Sequence, residues 1–102
     1  MLNCYMEKTI MVTGATAGFG RAIAAKFAAG GYKVIITGRR NERLLELQKE
    51  LSDSGAKVLT LNFDVRDLDS VKSAVNSLPS GWKDIDILVN NAGLAVGLSR
   101  IN

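Results

Sequence analysis

Histidine is absent from the 102 residues, and cysteine and proline occur once each, as Cys4 and Pro79. The missing histidine removes imidazole catalysis and the usual zinc ligand sets, and a single cysteine cannot close an internal disulfide. No charged arrangement surrounds Cys4, so it reads as an inert free thiol. Aromatic residues make up only 6% of the chain, and none is interleaved with a basic run. Nothing in that pattern calls for a nucleic-acid surface. Neither sign of charge dominates: 13 Lys and Arg against 10 Asp and Glu leave a net +3. Long apolar runs are missing too. The longest, around Ile10–Val12 and Ile85–Val89, fall far short of the roughly 18 residues that a membrane-spanning helix needs. Few residues precede the first apolar run, too few for a basic leader, an apolar stretch and a cleavage site, so the expected compartment is the cytoplasm.

What is present describes one ordinary globular domain over residues 1–102: 47% hydrophobic, 23% charged, 10 glycines, with no repeat and no linker. Lys8–Thr13 is a short run rich in β-branched residues ending at Gly14, the pattern of a strand buried on both faces. From Gly18 the period changes: Phe19, Ile23 and Phe27 recur every four residues among small alanines, until Gly30-Gly31 ends a helix able to lie close to a sheet. Lys33–Thr37 repeats the strand pattern. Leu44, Leu47 and Leu51 then mark one face of an amphipathic helix. Lys57–Phe63 forms a third strand, and Asp67 is placed to cap a helix carrying Leu68, Val71, Val75 and Leu78. Pro79-Ser80-Gly81 closes that helix, Trp82 caps the start of the next strand, and Ile85–Val89 is the fourth strand. The order βαβαβαβ predicts an α/β, doubly wound parallel sheet of Rossmann type with strand order 3-2-1-4. Right-handed crossovers place the first two helices on one face and the third on the other.

Thr13-Gly14-Ala15-Thr16-Ala17-Gly18-Phe19-Gly20 stands where the first strand becomes a helix. In that setting Gly14 permits a tight turn, Gly18 lets the backbone approach a pyrophosphate, and Gly20 lets the helix pack closely on the sheet. Free N–H groups at the helix start would face the anion. The plainer alternative is a tight strand-to-helix turn with no ligand. In a Rossmann unit the end of the second strand meets the adenine ribose, where an acid favours NAD and an arginine accommodates the 2′-phosphate of NADP. Here the stretch is Thr37-Gly38-Arg39-Arg40. Gly38 occupies the acid's place and Arg39 offers a planar bidentate grip, so the pattern favours NADP. The alternative is that both arginines are solvated residues ahead of a helix.

Asp64, after the third strand, is placed to accept from the adenine amino group, with Val65 supplying backbone, although an Asp there also serves as a simple turn residue. Asn90-Asn91-Ala92-Gly93 ends the fourth strand at the topological switch point, where small residues leave room for ribose and nicotinamide. Asn90 can also lock the strand backbone by side-chain hydrogen bonds.

Thr13–Gly20 with glycines spaced GxxxGxG, Asp64, and Asn90–Gly93 together resemble the short-chain dehydrogenase/reductase family and its TGxxxGxG and NNAG motifs. More narrowly, TGATAGFG, the TGRRxERL pattern from Thr37 to Leu44, and IDILVNNAGLAxG from Ile85 to Gly97 resemble NADP-dependent 3-hydroxy acid dehydrogenases acting on serine and allo-threonine. The resemblance runs from Lys8 to Gly97 and corresponds to the N-terminal half of a family member. It implies cofactor contacts from Thr13, Gly14, Thr16, Gly18, Phe19 and Gly20 at the phosphates, and from Arg39 and Arg40 at the 2′-phosphate. Asp64 and Val65 would lie at adenine, with Asn90, Ala92 and Gly93 at ribose and nicotinamide.

The family's reaction uses a tyrosine and a lysine four residues later, but no Tyr-x-x-x-Lys occurs here: Tyr5 precedes Thr9 by four and Tyr32 precedes Ile36. A tyrosine near its ordinary pKa of about 10 is a poor base at neutral pH. The expectation is therefore an NADP-binding portion of an oxidoreductase with no catalytic residue of its own, inactive alone and meeting a hydroxy acid only beside a C-terminal half. The alternative is a non-catalytic NADP(H)-binding or interaction module, able to pair with itself or a relative through an incompletely covered sheet face beside the fourth strand.

Overall fold

Strands and helices alternate along the chain as β1 (Thr9–Thr13), α1 (Gly18–Ala29), β2 (Lys33–Gly38), α2 (Asn41–Ser52), β3 (Val58–Asn62), α3 (Leu68–Asn76) and β4 (Ile87–Asn90), with a 3-10 turn at Ser80–Trp82 between α3 and β4. The structure, a computed structural model, describes residues 8–15, 18–53, 55–64 and 67–90, the last by its backbone only. The four strands form one parallel sheet in the order β3-β2-β1-β4, as expected from the alternation.

All five residues of β1 are buried, because helices cover both faces of the sheet. On one face Ile10, Val12, Val34, Ile36 and Val58 pack against Ala24 and Ala28 of α1 and Leu44, Leu47 and Leu51 of α2. On the other, Met11 and Ile35 pack with Phe63, Val71 and Leu78. The two-residue period of the strands thus sends alternate side chains to α1 and α2 or to α3. Coverage by α3 thins out toward β4, where Leu88, in register with Met11, is 38% exposed.

The buried row of α1 is Gly20, Ala24 and Ala28, not the larger Phe19, Ile23 and Phe27. Phe19 is 80% exposed, while Ile23 and Phe27 pack at the margin of the core. Small residues let the helix axis approach the sheet, which a phenylalanine row between them would prevent. Asp67 caps α3 as expected, accepting from the Ser70 N–H at 3.3 Å and the Ser70 hydroxyl at 2.9 Å. Leu68 departs from the apolar row and is 46% exposed. The fourth strand begins at Ile87 rather than Ile85. Just before it, the Asp86 carboxylate accepts from the Thr9 N–H and the Asp86 N–H donates to the Thr9 carbonyl, both at 2.9 Å, so a side chain takes the place of a ladder bond. Trp82 packs against the α3-side core, with the Lys33 ammonium 4.7 Å from its ring centroid and bonded to the Gly81 carbonyl.

Leu47 has no exposed surface, whereas its neighbour Leu45 is 48% exposed. Leu47→Ala should lower the unfolding free energy by about 2–5 kcal/mol, and Leu45→Ala by less than about 1 kcal/mol, in urea titrations followed by circular dichroism.

Candidate functional site

In a parallel sheet every strand ends on the same side, so the carboxyl ends of β1, β2, β3 and β4 lie at one rim. Thr13, at the end of β1, is fully buried and its hydroxyl donates to the Val89 carbonyl at 3.3 Å, which ties β1 to the end of β4. Thr13 is also in register with Asn90. Gly14 follows with φ 64° and Gly18 opens α1 with φ 55°, both in the left-handed region that side chains rarely adopt. A Cβ built on Gly18 would meet nothing within 4 Å. The glycine is therefore demanded by the backbone, and it leaves open space beside the helix start. No acidic residue occupies the first turn of α1, so the N–H groups that lack an intrahelical acceptor and the positive end of the helix dipole meet no carboxylate from that turn. An open, positively polarised cradle of this kind suits an anion. Gly20 lies on the buried side of α1, in the packing role expected of it.

The end of β2 lies next to this cradle: the Ala15 N–H donates to the Thr37 carbonyl at 3.1 Å. Gly38 is not among the glycines with positive φ, so its backbone does not require glycine, and what the residue contributes is the absence of a side chain. Arg39 is exposed and forms no ion pair among the described residues. Arg40, also exposed, sits at the N-cap position of α2, where its carbonyl accepts from the N–H groups of Arg43 and Leu44 at 3.1 Å each. Its side chain lines an open charged groove with Arg21, Glu42, Arg43 and Glu46. The two arginines thus occupy different settings, one without an ion pair among the described residues and one beside glutamates.

Asp64 is half-buried just beyond β3, and its carbonyl accepts from the Asp67 N–H at 2.9 Å. Thr16, Val65, Ala92 and Gly93 lie outside the described residues, as does the side chain of Asn90. Tyr32 is placed at the amino end of β2, edge-on to Phe27 with ring centroids 4.8 Å apart, away from this rim. Among the described residues there is no cluster of His, Cys, Asp or Glu suited to a metal ion, and no helix long and apolar enough to cross a membrane.

A family model described as short chain dehydrogenase matches residues 8–101. The chain belongs to this family. It is 56% identical over 89 residues to the NADP-dependent 3-hydroxy acid dehydrogenase YdfG of Salmonella typhi, an alignment covering 87% of this chain and 35% of that protein. The crystal structure of serine dehydrogenase from Escherichia coli superposes with a TM-score of 0.77 at 51% identity, covering 86% of this chain and 39% of that one. L-sorbose reductase from Gluconobacter frateurii, solved with NADPH and L-sorbose, superposes with a TM-score of 0.79 at 37% identity, covering 86% and 34%. The chain therefore spans about a third of the length of the curated relatives it matches. The Rossmann-like parallel sheet expected from the sequence is the fold these family members share.

Two residues at the rim escaped sequence reasoning. Thr37 is fully buried, and its hydroxyl has no hydrogen-bond partner among the described residues. A polar residue at the end of an apolar strand is the only hint the sequence offered. Asn62 donates from Nδ2 to the Gly38 carbonyl at 2.9 Å, a contact that needs the β2–β3 register to be seen. Because a buried unpaired hydroxyl carries an uncompensated desolvation cost, Thr37→Val should raise the unfolding free energy of the ligand-free protein by about 1 kcal/mol. Thermal unfolding in the absence of nucleotide checks this, and a fall in midpoint would show that the hydroxyl is satisfied in solution.

Proposed function

We propose that this chain is a dinucleotide-binding unit of a cytoplasmic oxidoreductase whose cofactor is NADP(H). The complete enzyme would move a hydride between the cofactor and a secondary alcohol or its ketone, with 3-hydroxy acids such as serine as the substrate class. The observation that carries the reading is the juxtaposition, through the Ala15–Thr37 bond, of the open glycine cradle with a strand end where Gly38 carries no side chain and the exposed Arg39 forms no ion pair among the described residues. Family membership and the NADP-dependent relatives support it.

The rim offers groups that fit such a cofactor. Backbone N–H groups of the first turn of α1 would hold the pyrophosphate, with Gly14 and Gly18 giving it access and the exposed Phe19 contributing its amide. Arg39 would bind the 2′-phosphate by charge-assisted hydrogen bonds, and Arg40 would add to the local positive potential. Asp64 and Val65 are assigned to adenine, and Asn90, Ala92 and Gly93 to the ribose and nicotinamide side. When bound, the cofactor supplies the hydride chemistry. Within these 102 residues no tyrosine has a lysine four positions later, and we infer that they bind without turnover on their own.

Calorimetric titration with NADPH and with NADH tests the assignment. The chain should bind NADPH more tightly, and Arg39→Ala should cost about tenfold or more in NADPH affinity while leaving NADH within about twofold, the effect of removing a hydrogen bond to a charged group. Equal losses for the two cofactors would remove Arg39 from the 2′-phosphate. The purified 102-residue chain should also show no serine-dependent reduction of NADP+. Measurable turnover would mean that a general base lies within it.

A further inference from the structure

The carboxyl end of β2 is held from both neighbouring strands. On the β1 side the Ala15 N–H donates to the Thr37 carbonyl at 3.1 Å. On the β3 side the Gly38 carbonyl accepts twice, from the Phe63 N–H at 3.1 Å and from Asn62 Nδ2 at 2.9 Å. The two backbone bonds are available to any sequence that keeps the register, but the third depends on the side chain at position 62. Asn62 is exposed at the end of an edge strand, where it fills no core and where asparagine is a poor strand former. Packing therefore gives no reason for it.

Its bond falls on the peptide unit that leads into Arg39. Glycine restricts its own backbone least of all residues, so a Gly38–Arg39 peptide held by the Phe63 N–H alone keeps some freedom to pivot about that bond, and the base of the arginine side chain moves with it. Arg39 forms no ion pair among the described residues that could fix its guanidinium from the other end. A second donor on the Gly38 carbonyl removes that freedom without adding charge. An aspartate at the same place could not donate, and its carboxylate would lie close to the group Arg39 is meant to attract.

We propose that Asn62 is a specificity-positioning residue, which aims Arg39 at the 2′-phosphate of the cofactor by holding the Gly38 carbonyl. The proposal rests on the NADP reading above. Asn62 acts through the Gly38–Arg39 peptide and touches no reacting atom.

The test compares the unaltered chain with Asn62→Leu, of similar size but without a donor, and Asn62→Gln, which keeps the amide. Each is titrated calorimetrically with 2′,5′-ADP and with 5′-AMP, ligands that differ only in the 2′-phosphate, and thermal unfolding reports whether each variant is folded. Asn62→Leu should bind 2′,5′-ADP about five- to tenfold more weakly, as for the loss of one hydrogen bond, with 5′-AMP changed by less than about twofold. Asn62→Gln should retain most of the preference. A structural role alone would weaken both ligands together, so parallel losses overturn the proposal, as does an unchanged preference in Asn62→Leu. Asn62→Thr, which suits a strand and has a shorter side chain, gives the same readout should the leucine variant aggregate. If the unaltered chain does not distinguish the two ligands, the NADP reading falls and this inference with it. If it does and the variants do too, only the role of Asn62 is lost.

Discussion

The burial of β1 on both faces and both edges is the constraint from which the rest of this structure follows. With β2 on one side and β4 on the other, and helices above and below, its five residues have no route to solvent, and the chain can leave only at the strand's end. That exit has to be abrupt, because α1 must return along the same strand at close range. Gly14 and Gly18 make the reversal in left-handed conformations, and the row Gly20, Ala24 and Ala28 lets the helix settle on the sheet. The same requirement that packs α1 closely places its first-turn N–H groups, which have no intrahelical acceptor, beside the open space at Gly18. Packing and anion affinity therefore have one origin here.

A helix start alone is a generic anion site, and specificity has to come from the next strand. The parallel arrangement brings the end of β2 beside the cradle, and the Ala15–Thr37 bond fixes their separation. Gly38 is not required by its φ, so the turn does not explain the lack of a side chain there. Arg39 is exposed and forms no ion pair among the described residues, whereas Arg40, one residue on, lines a groove that holds two glutamates. A pair of arginines that looks uniform in the sequence is divided in the structure by the start of α2.

The features readable from the sequence were those with a local cause. Period, punctuation and turn chemistry act over a few residues, so the element order, the sheet order, the Asp67 cap and the positions of Gly14, Gly18 and Arg39 were all legible. Misreadings arose where two distant segments decide the outcome. Which row of α1 faces inward depends on how near the sheet it must lie, and the spacing of Phe19, Ile23 and Phe27 carries no information about that distance. The start of β4 is set by Asp86 substituting its side chain for a ladder bond to Thr9, a contact across 77 residues. The Asn62–Gly38 bond likewise exists only once β3 is in register with β2. Periodicity says that strands exist, whereas register decides which side chains meet at their ends.

The two ends of the sheet also differ in how their polar groups are used. At the amino end the groups satisfy one another: Lys33 lies against Trp82 and the Gly81 carbonyl, Asp86 pairs with Thr9, and Tyr32 stacks edge-on against Phe27. At the carboxyl end the Arg39 guanidinium has no ion pair and the Thr37 hydroxyl no hydrogen-bond partner among the described residues. Unpaired polar groups cost stability, and the sheet can carry them at one rim because the groups at its other rim are paired and its central strand is buried. A molecule that completed those hydrogen bonds would recover on binding the free energy they withhold from folding.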